Sequence, residues 1–183
     1  MSVAAPAIRV AGSEAGLADA LATVLTDCVE RGASVGFMAP LGRDRAVGFW
    51  QRVIASAGRG ERILLVAELP GRGIVGTVQV ILDLPENQPH RGEVAKMLVR
   101  SDARRRGVGR ALLAAAEAAA RDRGRWLLVL DTVTGGAAER LYRSLGWTAV
   151  GEIPDYALWP DGRLCSTTVF YKRLAGAPER AGA

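Results

Sequence analysis

The segment Arg104-Arg105-Arg106-Gly107-Val108-Gly109-Arg110 separates a β-rich run ending at Val99 from an alanine-rich stretch continuing to about Arg123. Arginines crowded this closely are almost never buried without partners. Glycines at 107 and 109 open backbone conformations closed to other residues and keep Cβ atoms out of the way. The segment therefore predicts an exposed turn leading from a strand into a helix. The first amides of that helix lack intrahelical acceptors, and the positive end of its dipole points the same way. Such a turn binds anions, and Arg104, Arg105, Arg106 and Arg110 add charge-assisted donors suited to a pyrophosphate. A P-loop would need GxxxxGK followed by Ser or Thr, and a dinucleotide fingerprint would need glycine where Leu112 stands. Neither motif is present.

Strand and helix signals around the turn place it in a single α/β domain. Ile8 to Ala11 reads as a short strand. A helix follows, capped by Ser13 and running to about Arg31, with Leu17, Leu21, Val24, Leu25 and Cys28 on one face. Gly32 ends it, 33–40 is a loop, and a second helix spans about Arg43 to Ala57 with Val47, Trp50, Val53 and Ile54 apolar. Arg62 to Glu68 and Ile74 to Leu82 are strands joined by Pro70-Gly71-Arg72-Gly73, followed by a strand from Glu93 to Val99. After the alanine-rich helix come a strand from Trp126 to Leu130, a helix from Gly136 to Leu145 and a strand from Trp147 to Glu152. A loop through Pro154 and Asp161-Gly162 leads to the last strand, Thr167 to Arg173. The order β-α-α-β-β-β-α-β-α-β-β predicts a mixed sheet with early hairpins and later crossovers, one domain over 1–174, and a frayed tail over 175–183.

Composition narrows the functions open to this fold. With His90 as the single histidine, and Cys28 and Cys165 far apart, a His/Cys metal site is not expected. No apolar run is long enough for a membrane span, and the N-terminus lacks a recognisable sorting signal, so a cytoplasmic location is expected. The net charge is +5, and Lys96 and Lys172 are the only lysines. A nucleic-acid surface would interleave arginines with aromatic residues or stripe a helix with them. The helix after Gly109 is mostly alanine and leucine, so no nucleic-acid partner is expected.

Arg104-x-x-Gly107-x-Gly109, in its strand-turn-helix setting, resembles the Arg/Gln-x-x-Gly-x-Gly/Ala signature of the GNAT superfamily of N-acetyltransferases. The resemblance runs from about Ile8 to Leu174. It implies a mostly antiparallel central sheet, flanked by helices and splayed at the cofactor site. It implies acetyl-CoA as co-substrate, no metal, and a cofactor site of Arg104, Arg105, Arg106, Gly107, Val108, Gly109 and Arg110. Backbone groups of Met97, Leu98 and Val99 would pair with the pantetheine arm, and amides near Leu98 would polarise the acetyl carbonyl.

Acetyl transfer to an amine needs a proton acceptor for the amine and a proton donor for the departing thiolate. Tyr142, within Ala138-Glu139-Arg140-Leu141-Tyr142, resembles the tyrosine that serves GNAT enzymes as that donor. Gly135 replaces the Asn that many members carry seven residues earlier. Asp131 ends an apolar strand where the sheet would open. It suits a general base or amine anchor, and equally a helix cap or a partner for the turn at Thr132 and Thr134. Glu93 alternates with Ala95 and Met97, which would put it on the Met97 side of the strand as a water-mediated base.

Together, Glu93–Val99, Leu130-Asp131-Thr132 and Pro160–Leu164 resemble the tabtoxin-resistance acetyltransferase branch, whose acceptor is a small amino-acid-like toxin. Phe37, Trp50, His90, Asp131 and Tyr156 are the candidate acceptor contacts. The expected activity is acetyl transfer to a small-molecule amine, an antibiotic or toxin included, by direct attack in a ternary complex in a monomer or homodimer. The alternatives are acetylation of a protein N-terminus or lysine, and a non-catalytic acyl-CoA-binding regulatory module.

Overall fold

The computed structural model describes residues 5–178. Among them the elements follow the expected order: β1 (Ala7–Val10), α1 (Leu17–Glu30), α2 (Arg43–Gly58), β2 (Arg62–Leu69), β3 (Gly73–Ile81), β4 (Arg91–Val99), α3 (Val108–Asp122), β5 (Leu127–Val133), α4 (Ala137–Ser144), β6 (Thr148–Leu158) and β7 (Leu164–Arg173). One 3-10 turn, Ser101–Ala103, precedes the arginine–glycine segment. The strands form one sheet in the order β1-β2-β3-β4-β5-β7-β6. Every pairing is antiparallel except β4 with β5. Of the expected tail, residues 179–183 lie outside the described residues.

The sheet divides two apolar cores. In β2, Ile63, Leu65 and Ala67 pack on the α3–α4 side, while Leu64 and Val66 pack on the α1–α2 side. A strand apolar at every position is what burial of both faces requires. α1 presents Leu17, Leu21, Val24, Leu25 and Cys28 inward, but it starts at Leu17 behind a left-handed Gly16, and Ser13 does not cap it. α3 turns Val108, Leu112, Leu113, Ala116 and Ala120 to the sheet. It lies so close to β3 that a Cβ on Gly76 would stand 2.9 Å from the Leu98 carbonyl, 3.1 Å from Leu112 Cδ1 and 3.2 Å from Val108 Cγ1.

β4 departs from regular alternation. Thr77 pairs with Leu98 and Gln79 with Ala95, so Val78 alone faces Lys96 and Met97. Lys96 adopts φ 50°, the left-handed region that a lysine seldom occupies. This β-bulge shifts the phase of every side chain beyond it. Val94 and Met97 both pack in the α3–α4 core, whereas Leu98 packs in the α1–α2 core. Glu93, one residue from Val94, therefore lies on the face opposite Met97. The expectation that the two share a face is corrected by the extra residue.

β6 and β7 are longer than expected. β6 passes through Pro154 to Leu158, with register shifts between Ala149 and Gly151 and between Ile153 and Ala157. An edge strand tolerates a proline because one row of its amides has no neighbour to bond. The β6–β7 hairpin also holds the loop between α1 and α2. Ser34 Oγ donates to the Leu158 carbonyl at 2.7 Å, and the Ala39 amide donates to the Pro160 carbonyl at 3.1 Å.

The close approach at Gly76 makes a test of this packing. Gly76→Ala is expected to lower the unfolding free energy by about 1–3 kcal/mol, the usual cost of overpacking. In urea it should appear as a lower midpoint with an unchanged m value.

Candidate active site

β4 and β5 pair only at Arg91–Leu127, Gly92–Leu128 and Glu93–Val129. At this closed end Gly92 permits tight packing, since a Cβ there would lie 2.9 Å from Val80 Cγ1 and 3.0 Å from Leu128 Cδ2. Beyond Glu93 the strands part, while β5 stays paired with β7 as far as Val133. From Val94 onward the side of β4 facing β5 has no strand partner. Its backbone groups are open to an extended ligand arm, as at any free sheet edge. Met97 and Val99 direct their side chains into the α3–α4 core and Leu98 is buried. What these residues offer the opening is main chain.

The arginine–glycine turn lies at the open end of the split. Arg105 (φ 63°) and Gly107 (φ 78°) are left-handed, which turns successive amides toward one side. Among the described residues, none of the amides of residues 105–110 donates to a protein acceptor. The N-terminus of α3 begins at Val108 within this set. Unpaired amides turned to one side at a helix N-terminus form a cradle that can hold an anion such as a diphosphate.

Not every arginine faces that cradle. Arg104 Nε donates to the Val99 carbonyl at 3.1 Å and its Nη2 lies 4.0 Å from Cys28 Sγ, so this guanidinium ties the turn to β4 and α1. This tie uses one side of the exposed guanidinium. Arg105 and Arg106 are exposed, and Arg110 Nη2 approaches Ser144 Oγ on α4 at 3.4 Å. Gly109 also has a different reason to be glycine. A Cβ there would meet Leu141 Cδ2 at 3.0 Å and Met97 Sδ at 3.7 Å, so its absence lets α3 close on α4 and β4.

Asp131 stands on β5 past the parting point, paired with Val169 of β7. Thr167 Oγ1 lies 2.8 Å from Asp131 Oδ2 and 2.9 Å from the Thr132 carbonyl, so its one proton is shared between these two acceptors. The carboxylate does not cap α4, whose N-terminal turn is held by Glu139 accepting from the Gly135 amide. Tyr142 is 5% exposed, with its ring 5.7 Å from that of Trp147 and 6.0 Å from that of Phe170. Burial first, and then the charge of Asp131, push its phenol above the ordinary value. No protein acceptor takes the Tyr142 hydroxyl among the described residues.

Asp131 acts on a second neighbour as well. Burial pushes the half-buried Lys96 ammonium below its ordinary value, and the attraction of Asp131 opposes that shift. Lys96 Nζ lies 5.9 Å from the centroid of the Phe49 ring and 3.5 Å from where a Cβ on Gly36 would be. Lys96 and Phe49 are site residues that sequence reasoning passed over. The only signal was that Lys96 is one of two lysines in an arginine-rich chain.

The remaining candidates separate. Phe37 packs edge-on against Phe49 at 5.2 Å, with Arg45 5.7 Å above it, and so belongs to the wall beside Lys96. Trp50 is 0% exposed, on the buried stripe of α2 with Ala46 and Val53. Its burial corrects the expected acceptor contact, and the ring facing Lys96 is that of Phe49, the preceding residue of the helix. His90 stacks on Trp126 at 4.6 Å, and its carbonyl accepts from the Trp126 and Leu127 amides. It pins the closed end of the split, at the opposite end of β4 from the cradle, which corrects its expected acceptor role. Glu93 sits at the last rung, half exposed and 3.6 Å from Arg91. Tyr156 is 55% exposed on edge strand β6, in the stretch where its register slips. Among the described residues no group of three or more His, Cys, Asp or Glu is placed to hold a metal.

Residues 60–149 match the family model described as an acetyltransferase (GNAT) domain. The chain is similar in structure to a ribosomal-protein-alanine N-acetyltransferase from Brucella melitensis, with 28% identity, 92% of this chain and 99% of that one covered, and a TM-score of 0.78. It shares its fold with yncA of Salmonella typhimurium, solved with its cofactor acetyl-CoA, at 22% identity, coverage of 97% and 100%, and a TM-score of 0.76. It also shares its fold with a phosphinothricin acetyltransferase from Sinorhizobium meliloti in complex with acetyl-CoA, at 18% identity, coverage of 97% and 95%, and a TM-score of 0.77. The unpaired edge of β4 and the amides of residues 105–110 fit the two polar parts of that cofactor, its amide-bearing arm and its diphosphate.

Gly107→Val would force a β-branched residue into φ 78° at the centre of the cradle. It is expected to raise the acetyl-CoA Kd about tenfold or more by calorimetry, roughly the loss of one charge-assisted hydrogen bond. Residues 60–149 thus match an acetyltransferase (GNAT) domain, and the chain as a whole shares the fold of solved acetyltransferases.

Proposed function

We propose that this enzyme transfers an acetyl group from acetyl-CoA to the primary amine of a small amino-acid-like molecule, an antibiotic or toxin of that kind included, by direct attack in a ternary complex. The observation that carries this proposal is the position of Asp131. Thr167 fixes its carboxylate at the open end of β5, where its charge is felt by both Tyr142 and Lys96. A small acceptor is favoured by the approach to that point. Phe37 and Phe49 wall it, and the loop carrying Gly36 is strapped to the β6–β7 hairpin. The phosphinothricin acetyltransferase from S. meliloti, which shares the fold, supports the same acceptor class. So does the resemblance to the tabtoxin-resistance branch.

The chain's own groups divide the work. The amides of residues 105–110, with Arg105, Arg106 and Arg110, would hold the cofactor diphosphate, and the free edge of β4 would hold its arm. Bound acetyl-CoA supplies the activated thioester carbonyl. An amide near Leu98 would donate to the thioester oxygen, a fixed dipole that needs no reorganisation. Asp131, or Glu93 through water, would take the proton that keeps the acceptor amine from attacking. Tyr142 would release its Oη proton to the departing sulfur. Its raised pKa keeps that proton in place across the working range.

A second reading is acetylation of a protein N-terminus, supported by the 28% identity to the ribosomal-protein-alanine N-acetyltransferase from B. melitensis. Thiol release with small amines set against N-terminal peptides separates the two. A non-catalytic acyl-CoA-binding module would release no thiol with either. We place the enzyme in the cytoplasm as a monomer or homodimer, without a nucleic-acid partner. No helix among the described residues is long and apolar enough to cross a membrane.

Tyr142→Phe is expected to lower kcat about 100-fold or more, in the range of lost general acid catalysis, with little change in the KM for acetyl-CoA. Asp131→Asn should also lower kcat by at least about tenfold. Full turnover by both variants would remove these residues from the chemistry. The pH dependence has a defined sign. The protonated phenol is the active form and its folded pKa lies above the ordinary 10.0, so wild-type kcat should not fall on the alkaline side up to that pH. A decline set in well below it would contradict the assignment.

A further inference from the structure

We propose that Lys96 binds a carboxylate of the acceptor, so that the enzyme selects amines carrying a free carboxylate on the same small molecule. The inference rests on the small-acceptor function proposed above and names the feature by which that acceptor is recognised.

Lys96 is held where a side chain of its kind is costly. The bulge places it at φ 50°, between the Phe49 ring at 5.9 Å and the backbone of Gly36. It is half-buried, and among the described residues no carboxylate lies within 4.0 Å and no acceptor takes its protons. A desolvated ammonium without an anion is destabilised, and one incoming carboxylate would relieve it. Lys172 shows what a satisfied lysine looks like in this fold. Its Nζ contacts both Glu117 oxygens, at 2.8 and 2.7 Å, and the Leu145 carbonyl at 2.8 Å.

The surroundings fix the polarity of the missing partner. Asp131 is the one carboxylate whose charge acts on Lys96, and it lies beyond ion-pair distance. Arg45, over the Phe37 ring at 5.7 Å, adds a second positive charge at the same wall. The site thus presents a cation on the β4 side and an anion on β5, with aromatic rings between them and the α2 side. A molecule bearing an ammonium and a carboxylate a few bonds apart matches this order, its ammonium toward Asp131 and its carboxylate toward Lys96. Gly36 lines the same spot, since a Cβ there would stand in ordinary van der Waals contact with Nζ, at 3.5 Å. The cofactor's phosphates are not this anion, since their cradle lies past the end of β4 on the turn into α3.

With two lysines in the chain, the test reads Lys96 directly. Full-length protein carrying 13C at the lysine ε-carbon is titrated, in the presence of CoA, with glycine, L-alanine and L-glutamate, and then with the corresponding amides. The Lys96 signal should move saturably with the amino acids and at least tenfold less tightly with the amides, while the Lys172 signal stays in place. A Lys96 signal that ignores carboxylates, or follows amides equally, overturns the proposal. In turnover, Lys96→Met should reduce the preference in kcat/KM for an amino acid over its amide at least tenfold, and Lys96→Arg should restore part of it. An unchanged preference also contradicts the assignment. If the wild type acetylates no small amine at all, the small-acceptor function fails, and the titration alone still decides whether Lys96 reads carboxylates.

Discussion

The parting of β4 from β5 is the constraint on which the rest of this structure depends. Three rungs join the strands, and a single extra residue at Lys96 then bends β4 away. A bulge of this kind increases local twist and leaves main-chain groups without partners. Unpaired backbone inside a sheet is costly unless something else completes it. In this enzyme the opening leads directly to amides of residues 105–110 that also have no protein acceptor. A long ligand with amides at one end and a diphosphate at the other satisfies both deficits at once.

The same bulge organises the chemistry. It sends Met97 into the α3–α4 core and leaves Lys96 on the wall formed by Phe49 and Gly36. On the opposite strand, Asp131 is held by Thr167 rather than by a basic side chain, so its charge remains available to the split. Tyr142 and Lys96, on either side of it, respond to that charge. A phenol, a carboxylate and an ammonium are thereby brought near one another by one irregular strand and one hydrogen bond.

Much of this was legible in the residues, and the exceptions have physical causes. The order of elements follows from apolar spacing, and the anion cradle follows from glycine and arginine chemistry at a strand–helix junction. The bulge carries no glycine or proline to mark it, because the positive φ falls on a lysine, and its one trace is that Glu93 and Lys96 stand three residues apart rather than two or four. The face of Glu93 was misjudged for that reason alone. Trp50 and Phe49 are adjacent on α2, and helical periodicity does not decide which of two neighbouring rings crosses the boundary of the buried stripe. His90 is close to β4 in sequence but at its closed end, a distinction that depends on where the two strands separate. Arg104 and Gly109 sit in the right motif for partly different reasons, one tying the turn to β4 and the other admitting Leu141.

The arrangement of charge also explains why arginine and lysine are not interchangeable here. The arginines proposed to meet the phosphates, Arg105, Arg106 and Arg110, stand on the exposed turn, where their permanent charge costs little. The one lysine near the chemistry is half-buried and sensitive to its surroundings. The central claim is that a single ligand spans the β4 edge and the turn. The most direct measurement is a crystal structure of the protein with acetyl-CoA. The account predicts the diphosphate on the amides of residues 105–110 and the arm hydrogen-bonded along β4 beyond Glu93. Acetyl-CoA bound elsewhere, with β4 and β5 unchanged and the cradle bare, would contradict it.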